Sequence, residues 1–321
     1  MPEILPISDE KAMARALAEL RAARCVAIPT ETVYGLAGDA TSGEAVARIF
    51  EMKGRPRFNP LICHVSGLEM ARRIGVFSDP ALALAKRFWP GPLTLVVPLQ
   101  ADAGIHDLVT ADLDSVAIRQ PAGASCAIIG SLGRPLAAPS ANRSGRISPT
   151  TAAHVAKEFP GESLLVLDGG SAEVGLESTI AKVEDTRIVL LRPGAITVEE
   201  LTQASGLPVE LAQSGGPVQA PGMLASHYAP DAPVRLDVFA CPAGASLLAF
   251  GDETEKDRRE AVRSVNLSER GDLREAAANL YRMLKMLDEH GARLICVEPI
   301  PEKGLGMAIN DRLRRAAAPR D

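Results

Sequence analysis

The sequence predicts a mixed α/β fold in two units, on three observations. Helical and strand periodicities alternate along most of the chain, two strand candidates follow each other across a short polar turn, and one Gly/Pro/Ser-rich stretch interrupts the pattern late. With 321 residues, the chain exceeds the length at which a single hydrophobic core usually stops growing, which favours two domains. From Asp9 to Arg24, Ala12, Ala16, Leu17 and Leu20 share one helical face, and Cys25 to Ile28 reads as a strand ended by Pro29. A helix over Gly43 to Met52 and strands near Leu61 to Val65, Leu93 to Val97, Val116 to Ile118 and Leu164 to Leu167 follow. Thr179 to Val183 and Ile188 to Leu191 are close enough to pair antiparallel, so a uniform Rossmann repeat does not fit.

Between Gln213 and Pro233 the text is dense in Gly, Pro and Ser and has no sustained apolar period. The expected division is therefore 1–212, a linker over 213–230, and 231–321. Such a segment reads as a passive tether or, because Met223, His227 and Tyr228 sit in it, as a lid over a site. Beyond it lie a strand at Ala245 to Phe250, a helical stripe of Leu273, Ala276, Ala277, Leu280, Leu284 and Leu287 capped by Gly291, a strand at Leu294 to Val297, and a last helix. The GLGMAI run at Gly304 lacks the spacing of a dinucleotide loop and reads as structural.

Hydrophobic residues at 46% and charged residues at 23% exclude disordered and fibrous classes. Aromatics at 3% leave few rings for base stacking, which disfavours a dedicated RNA surface. The net charge of -5 means that a phosphate site must come from local clustering of Lys and Arg. The five cysteines are scattered without metal-ligand spacing and read as buried apolar residues of a reducing compartment. With neither a signal pattern at the start nor an apolar run of spanning length, cytoplasmic residence with no membrane partner is the expectation.

Three segments carry candidate chemistry. Lys53-Gly-Arg55-Pro-Arg57-Phe-Asn59-Pro packs three cations into five positions after a helix, stiffened by Gly54, Pro56 and Pro60, and reads as an anion site or a solvated basic turn. Ala138 to Thr150 sets Ser140, Asn142, Ser144 and Ser148 ahead of a helix expected near Thr150, as an anion-binding loop or as N-capping by Ser148 or Thr150. Pro29 to Gly35 places Thr32 at the end of a strand, as a pocket wall or a satisfied turn. His64 falls within a strand, where a lone histidine is more often a core residue. No Ser/His/Asp order, HExxH or GxxxxGK[ST] run is present, so covalent hydrolysis, zinc chemistry and a conventional P-loop are not supported.

The strings PTETVYGL, KGRPRFNPLICHV, WPGPLTLV, SVAIRQP, APSANRSGRISPT, LESTI and LRPGAI, in this order, resemble the threonylcarbamoyl-AMP synthases of the YrdC-like family. The His227-Tyr228-Ala-Pro linker and the GLGMAINDRLRRAA tail resemble its long members. The resemblance implies a twisted mixed-sheet domain with a basic concave cleft and a smaller C-terminal Rossmann-like α/β domain. It further implies synthesis of threonylcarbamoyl-AMP and pyrophosphate from L-threonine, bicarbonate and ATP, with Mg²⁺ accompanying the nucleotide. The product would feed downstream tRNA threonylcarbamoyl-transferase proteins, with tRNA as a transient partner. By motif, Lys53 and Arg55 match catalytic positions. Together with them, Asn59, Ser115, Ser140, Asn142, Ser148, Arg192 and Tyr228 match ATP-binding positions. Thr32, His64, Arg119 and Ser178 match threonine-binding positions, and Ala138 stands where some members have a hydroxyl. Two other readings stand beside this one: an RNA-binding or ribosome-associated module without catalysis, and a carbamoyl-transfer enzyme of hydrogenase maturation, whose acylphosphatase and zinc-finger modules are not visible in the sequence.

Overall fold

The computed structural model describes residues 1–213, 216, 218–223, 226–252 and 261–319. Of the linker expected over 213–230, residues 214, 215, 217, 224 and 225 therefore lie outside the described residues. The first unit is built on β1 (Glu3–Pro6), β2 (Val26–Ile28), β3 (Gly35–Asp39), β4 (Ile62–His64), β5 (Leu93–Pro98), β6 (Ser115–Arg119), β7 (Leu136–Ala137), β8 (Leu165–Asp168), β9 (Thr179–Val183), β10 (Ile188–Arg192) and β11 (Val209–Leu211). They form one mixed sheet in the order β1, β8, β2, β3, β7, β4, β6, β5, β9, β10, β11. β9 and β10 pair antiparallel, as their spacing predicts.

Side-chain alternation gives the middle of this sheet two different faces. Cys63, Leu95, Val116, Ile118 and Ala181 point into the main core. That core is covered by helices such as Glu10–Arg21, which Asp9 caps and which buries Ala12, Ala16 and Leu20. On the other face Ile62, Val96, Ala117, Ile180 and Leu191 form a smaller apolar floor, against which Ala220 and Met223 of the linker pack. The same alternation carries His64, two residues on from Ile62, and Arg119, two residues on from Ala117, to the linker-covered face. Arg192 reaches that face differently. A register shift between Leu190 and Arg192 inserts one extra residue, so that Arg192 lies opposite Ile180 rather than joining the helix-covered core.

The second unit holds β12 (Val234–Arg235), β13 (Ser246–Ala249), β14 (Arg263–Asn266) and β15 (Ile295–Val297), all parallel, in the order β12, β15, β13, β14. Its helix Leu273–Glu289 starts on Asp272, whose carboxylate accepts from the backbone N–H groups of Arg274 and Glu275. The apolar stripe of that helix does not serve its own sheet alone. Val33, Ile147 and Leu176 of the first unit share a core with Tyr228, Ala277, Leu280 and Tyr281. Gly175 permits the contact: a Cβ there would lie 2.5 Å from the Cα of Ala278. Polar staples reinforce it, with Lys285 Nζ 2.6 Å from Glu158 and Arg312 Nε 2.9 Å from Glu177. Among the described residues, no helix is long and apolar enough to cross a membrane.

Candidate active site

A cavity of about 40 Å³ lies between the linker-covered face of the sheet and the linker itself. Thr32, Arg55, His64, Arg119, Ser140, Ser178, Arg192 and Tyr228 line it, so eight residues singled out in the sequence meet there. Its volume suits a water or two, not a nucleotide. Pro221, Gly222, His227 and Tyr228 close one side.

At one end the cations are buried against oxygens that carry no full charge. Arg55 donates from Nε to the Asn59 carbonyl at 3.1 Å, and from Nη2 to Asn59 Oδ1 and the Pro60 carbonyl at 2.7 Å each. Arg192 donates from Nε and Nη2 to the carbonyl and hydroxyl of Ser178, both at 3.1 Å. Lys53 stands behind the loop rather than in the lining, and its ammonium donates to the Ser140 and Asn142 carbonyls at 2.6 Å each. Among the described residues, none of the three has a carboxylate in ion-pair contact. Burial, and then the Arg55 charge, pulls the Lys53 ammonium well below its ordinary value, against weaker support from Glu158 and Glu177. Burial likewise lowers Arg55, offset by Tyr228 and reinforced by Arg192. Polar atoms that are buried and have no partner among the described residues cluster here too: Asn59 Nδ2, Asn142 Oδ1 and the Tyr228 hydroxyl. Such atoms cost free energy unless something supplies the missing bond.

At the other end Arg119 is locked in place. Its Nη2 lies 2.7 Å from Glu31 Oε1, and its Nε donates to the Gly91 carbonyl. His64 lies beside it in the β4–β6 register. Burial, then Arg119, lowers the imidazole to about 3, so it is neutral. Because Nδ1 lies 3.2 Å from the Ile62 carbonyl, an acceptor, it carries the proton, which leaves Nε2 as an acceptor. Thr30 donates to the Val33 carbonyl and so receives from the Thr32 hydroxyl, leaving the Thr32 lone pairs open.

Between the ends sits Glu177. It receives from Ser148 Oγ, from Tyr281 Oη at 2.8 Å and from Arg312 Nε at 2.9 Å. Burial pushes this carboxyl up, but the Arg312 and Arg192 charges and the bonds from Ser148 and Arg312 outweigh it and hold it at about 2. Tyr228, at φ 61, stacks on Tyr281 with ring centroids 5.7 Å apart and lies under the Arg312 guanidinium. Gly222 makes room for it: a Cβ there would meet the Tyr228 hydroxyl at 2.7 Å and Arg192 Cδ at 3.0 Å.

The remaining expected residues stand further off. Asn59 supports Arg55 from behind, and Asn142 ties its own loop by donating to the Arg143 and Arg146 carbonyls. Ser148 is engaged by Glu177. Ser115 opens β6, four residues from Arg119, pairs with Pro98 and is absent from the lining. The helix expected near Thr150 begins at Ala152, and Thr151 is its cap rather than Ser148 or Thr150. Sequence reasoning passed over Thr30, Glu31 and Glu177, which lie inside quoted motifs, and Tyr281 and Arg312, in the second unit. The signal for Arg312 was a cation on the stripe of Ala308, Ile309, Leu313 and Ala316, a helix face that is otherwise buried and apolar.

Comparison with known proteins converges on one family. A family model described as "Threonylcarbamoyl-AMP synthase, C-terminal domain" matches residues 196–318, and one described as "Telomere recombination" matches residues 18–194. A threonylcarbamoyl-AMP synthase of Pyrococcus abyssi is 40% identical over 93% of this chain and 92% of its own length. The chain belongs to the threonylcarbamoyl-AMP synthase family. A Bacillus subtilis member is 38% identical over 98% of this chain and 95% of its own. Among solved structures, P. abyssi Sua5 complexed with L-threonine aligns with a TM-score of 0.86 and 37% identity, over 99% of this chain and 97% of that one. E. coli YciO, at 16% identity and a TM-score of 0.55, shares the fold of the first unit's class over 63% of this chain. Family membership favours the synthase reading over that of an RNA-binding module.

Proposed function

We propose that this chain condenses L-threonine, bicarbonate and ATP into threonylcarbamoyl-AMP and pyrophosphate, for tRNA threonylcarbamoyladenosine synthesis. The observation that carries the reading is the pairing, in one cavity, of buried cations that have no carboxylate in ion-pair contact among the described residues with an arginine held in a neutral pair. Arg55, Arg192 and, behind them, Lys53 suit a triphosphate, which would supply the missing negative charge; Ser140, Asn142 and Ser148 lie on the loop beside them. Arg119 suits the threonine carboxylate. Thr32, Ser178 and His64 Nε2 offer acceptors to its ammonium and hydroxyl.

The threonine amine, once its ammonium has lost a proton, attacks the carbon of carbon dioxide, releasing a proton, or of bicarbonate, releasing water, and the resulting N-carboxylate oxygen attacks the α-phosphorus. The α–β bridging bond breaks and pyrophosphate leaves. The protein contributes position and fixed charge rather than a covalent intermediate. Magnesium enters with the substrate as Mg-ATP. Glu177, the one carboxylate in the lining among the described residues, is committed to Arg312, Tyr281 and Ser148, and no cluster of three metal-ligating side chains is present among them.

A cavity of about 40 Å³ requires the linker to withdraw before ATP enters. Tyr228, whose buried hydroxyl has no partner among the described residues, would then close over the nucleotide. The division at the linker fits a first unit that binds the substrates and a second that holds the linker and Glu177. The test is pyrophosphate release, which should require threonine and bicarbonate together; release independent of threonine would refute the reading.

A further inference from the structure

We infer that Glu31 is the positioning residue for recognition of the threonine carboxylate, acting through Arg119; the inference rests on the reading that Arg119 takes that carboxylate. Glu31 Oε1 lies 2.7 Å from Arg119 Nη2, and Glu31 Oε2 accepts the Ala122 N–H at 3.1 Å. Both side chains of the pair are largely withdrawn from solvent, at 13% and 5% exposure. The Glu31 backbone is fixed as well, because its carbonyl accepts from Val174 N–H at 2.8 Å. Arg119 thus has Nη2 tied to Glu31 and Nε tied to the Gly91 carbonyl. Among the described residues, that leaves Nη1 as the guanidinium atom without such a tie, on a side chain that lines the cavity.

Glu31 itself does not line that cavity. It borders a neighbouring cleft of about 230 Å³ with Ala122, Gly123 and Ser171, and Thr30 lines both. Both oxygens of this carboxylate are turned to protein donors, Arg119 Nη2 and the Ala122 N–H, rather than to the cavity lining. What it does is hold the plane of the guanidinium fork, so that the substrate meets one fixed donor edge, with less rotamer entropy lost on binding.

The experiment uses the full chain and compares wild type, Glu31→Gln, Glu31→Asp, Arg119→Ala and the Glu31→Gln/Arg119→Ala double variant. Two quantities are read: the KM values for threonine and ATP with kcat, and the binding preference for L-threonine over L-threonine amide, which lacks the carboxylate. Glu31→Gln should raise the threonine KM about tenfold and shrink the preference by a similar factor, with the ATP KM and kcat within about twofold. Arg119→Ala should do more, and Glu31→Gln should add nothing in its background. If Arg119→Ala leaves the preference intact, the reading of Arg119 fails. If Arg119→Ala abolishes the preference and Glu31→Gln does not touch it, the Glu31 inference alone is overturned. An equal loss of ATP affinity would mark a structural role, and tighter threonine binding would mark Glu31 as a competitor; either overturns it. Should Glu31→Gln not fold, Glu31→Asp, which keeps the charge but retracts it by one methylene, carries the same measurements with the same outcomes.

Discussion

At one end of the cavity Arg55 and Arg192 are buried against carbonyl, amide and hydroxyl oxygens, with Lys53 behind them; at the other, Arg119 sits 2.7 Å from Glu31. Both arrangements bury cations, but they differ in what they leave outstanding. A buried charge bonded only to dipoles retains its field, and the field is strong because solvent is excluded. A buried charge paired with a carboxylate is nearly neutral and keeps direction rather than field. The first suits a polyanion whose charge grows at a transferring phosphoryl group, and the second suits a single carboxylate that must be recognised by geometry. On the proposed reading, one cavity separates catalysis from recognition by how each arginine is compensated.

The largest effects should come from the uncompensated end. Arg55→Ala or Lys53→Ala should lower adenylate formation about a thousandfold, with the circular-dichroism spectrum unchanged; near-normal rates in either would break the contrast. Next comes the junction between the units. Arg312→Met leaves Glu177 buried without its cation and should cost about 3 kcal/mol in a urea unfolding titration. Arg119→Ala should raise the threonine KM about a hundredfold while leaving the ATP KM nearly unchanged, and a proportionate loss of both would erase the distinction between the ends.

A further effect is graded with pH. Burial, joined by Arg119 in one case and by Arg55 and Lys53 against Glu177 in the other, holds His64 and His227 at about 3, against an ordinary 6.5. The unfolded chain therefore binds these protons first. Their contribution to stability is full above 6.5 and declines as pH falls toward 3, with a limiting slope of about 1.4 kcal/mol per pH unit for each. Glu177 adds its own loss lower down, as pH falls from 4.5 toward 2. Urea midpoints should already drop between about pH 7 and 5; a flat profile over that range would contradict the burial of neutral histidines.

The fold was legible where periodicity is local. Thr179 to Val183 and Ile188 to Leu191 announced a hairpin that the structure forms, and the stripe from Leu273 to Leu287 announced a buried helix. The dense motifs were legible as well, because Lys53, Arg55, Ser140 and Asn142 crowd polar chemistry into rigid loops. What was not legible depends on distance or on irregularity. Glu177 and Arg312 are 135 residues apart in the chain, and nothing local to either names the other. The register shift that turns Arg192 toward the cavity is a one-residue event that apolar alternation does not encode. Glu31 was visible as a letter in a Thr-rich turn, but its role depends on Arg119, brought beside it only by folding. Ser115 is a matter of distance alone: it shares the face of β6 that carries Ala117 and Arg119, but it lies four residues from Arg119 and outside the lining of the closed cavity.

The central claim is that the uncompensated cations serve a triphosphate and the compensated one a threonine carboxylate. Mass spectrometry of the product formed from ATP, threonine and ¹³C-bicarbonate tests it most directly. The account predicts threonylcarbamoyl-AMP carrying one heavy carbon, formed in step with pyrophosphate and absent when threonine or bicarbonate is withheld. Pyrophosphate released without threonine, or an adenylate lacking the labelled carbon, would contradict it.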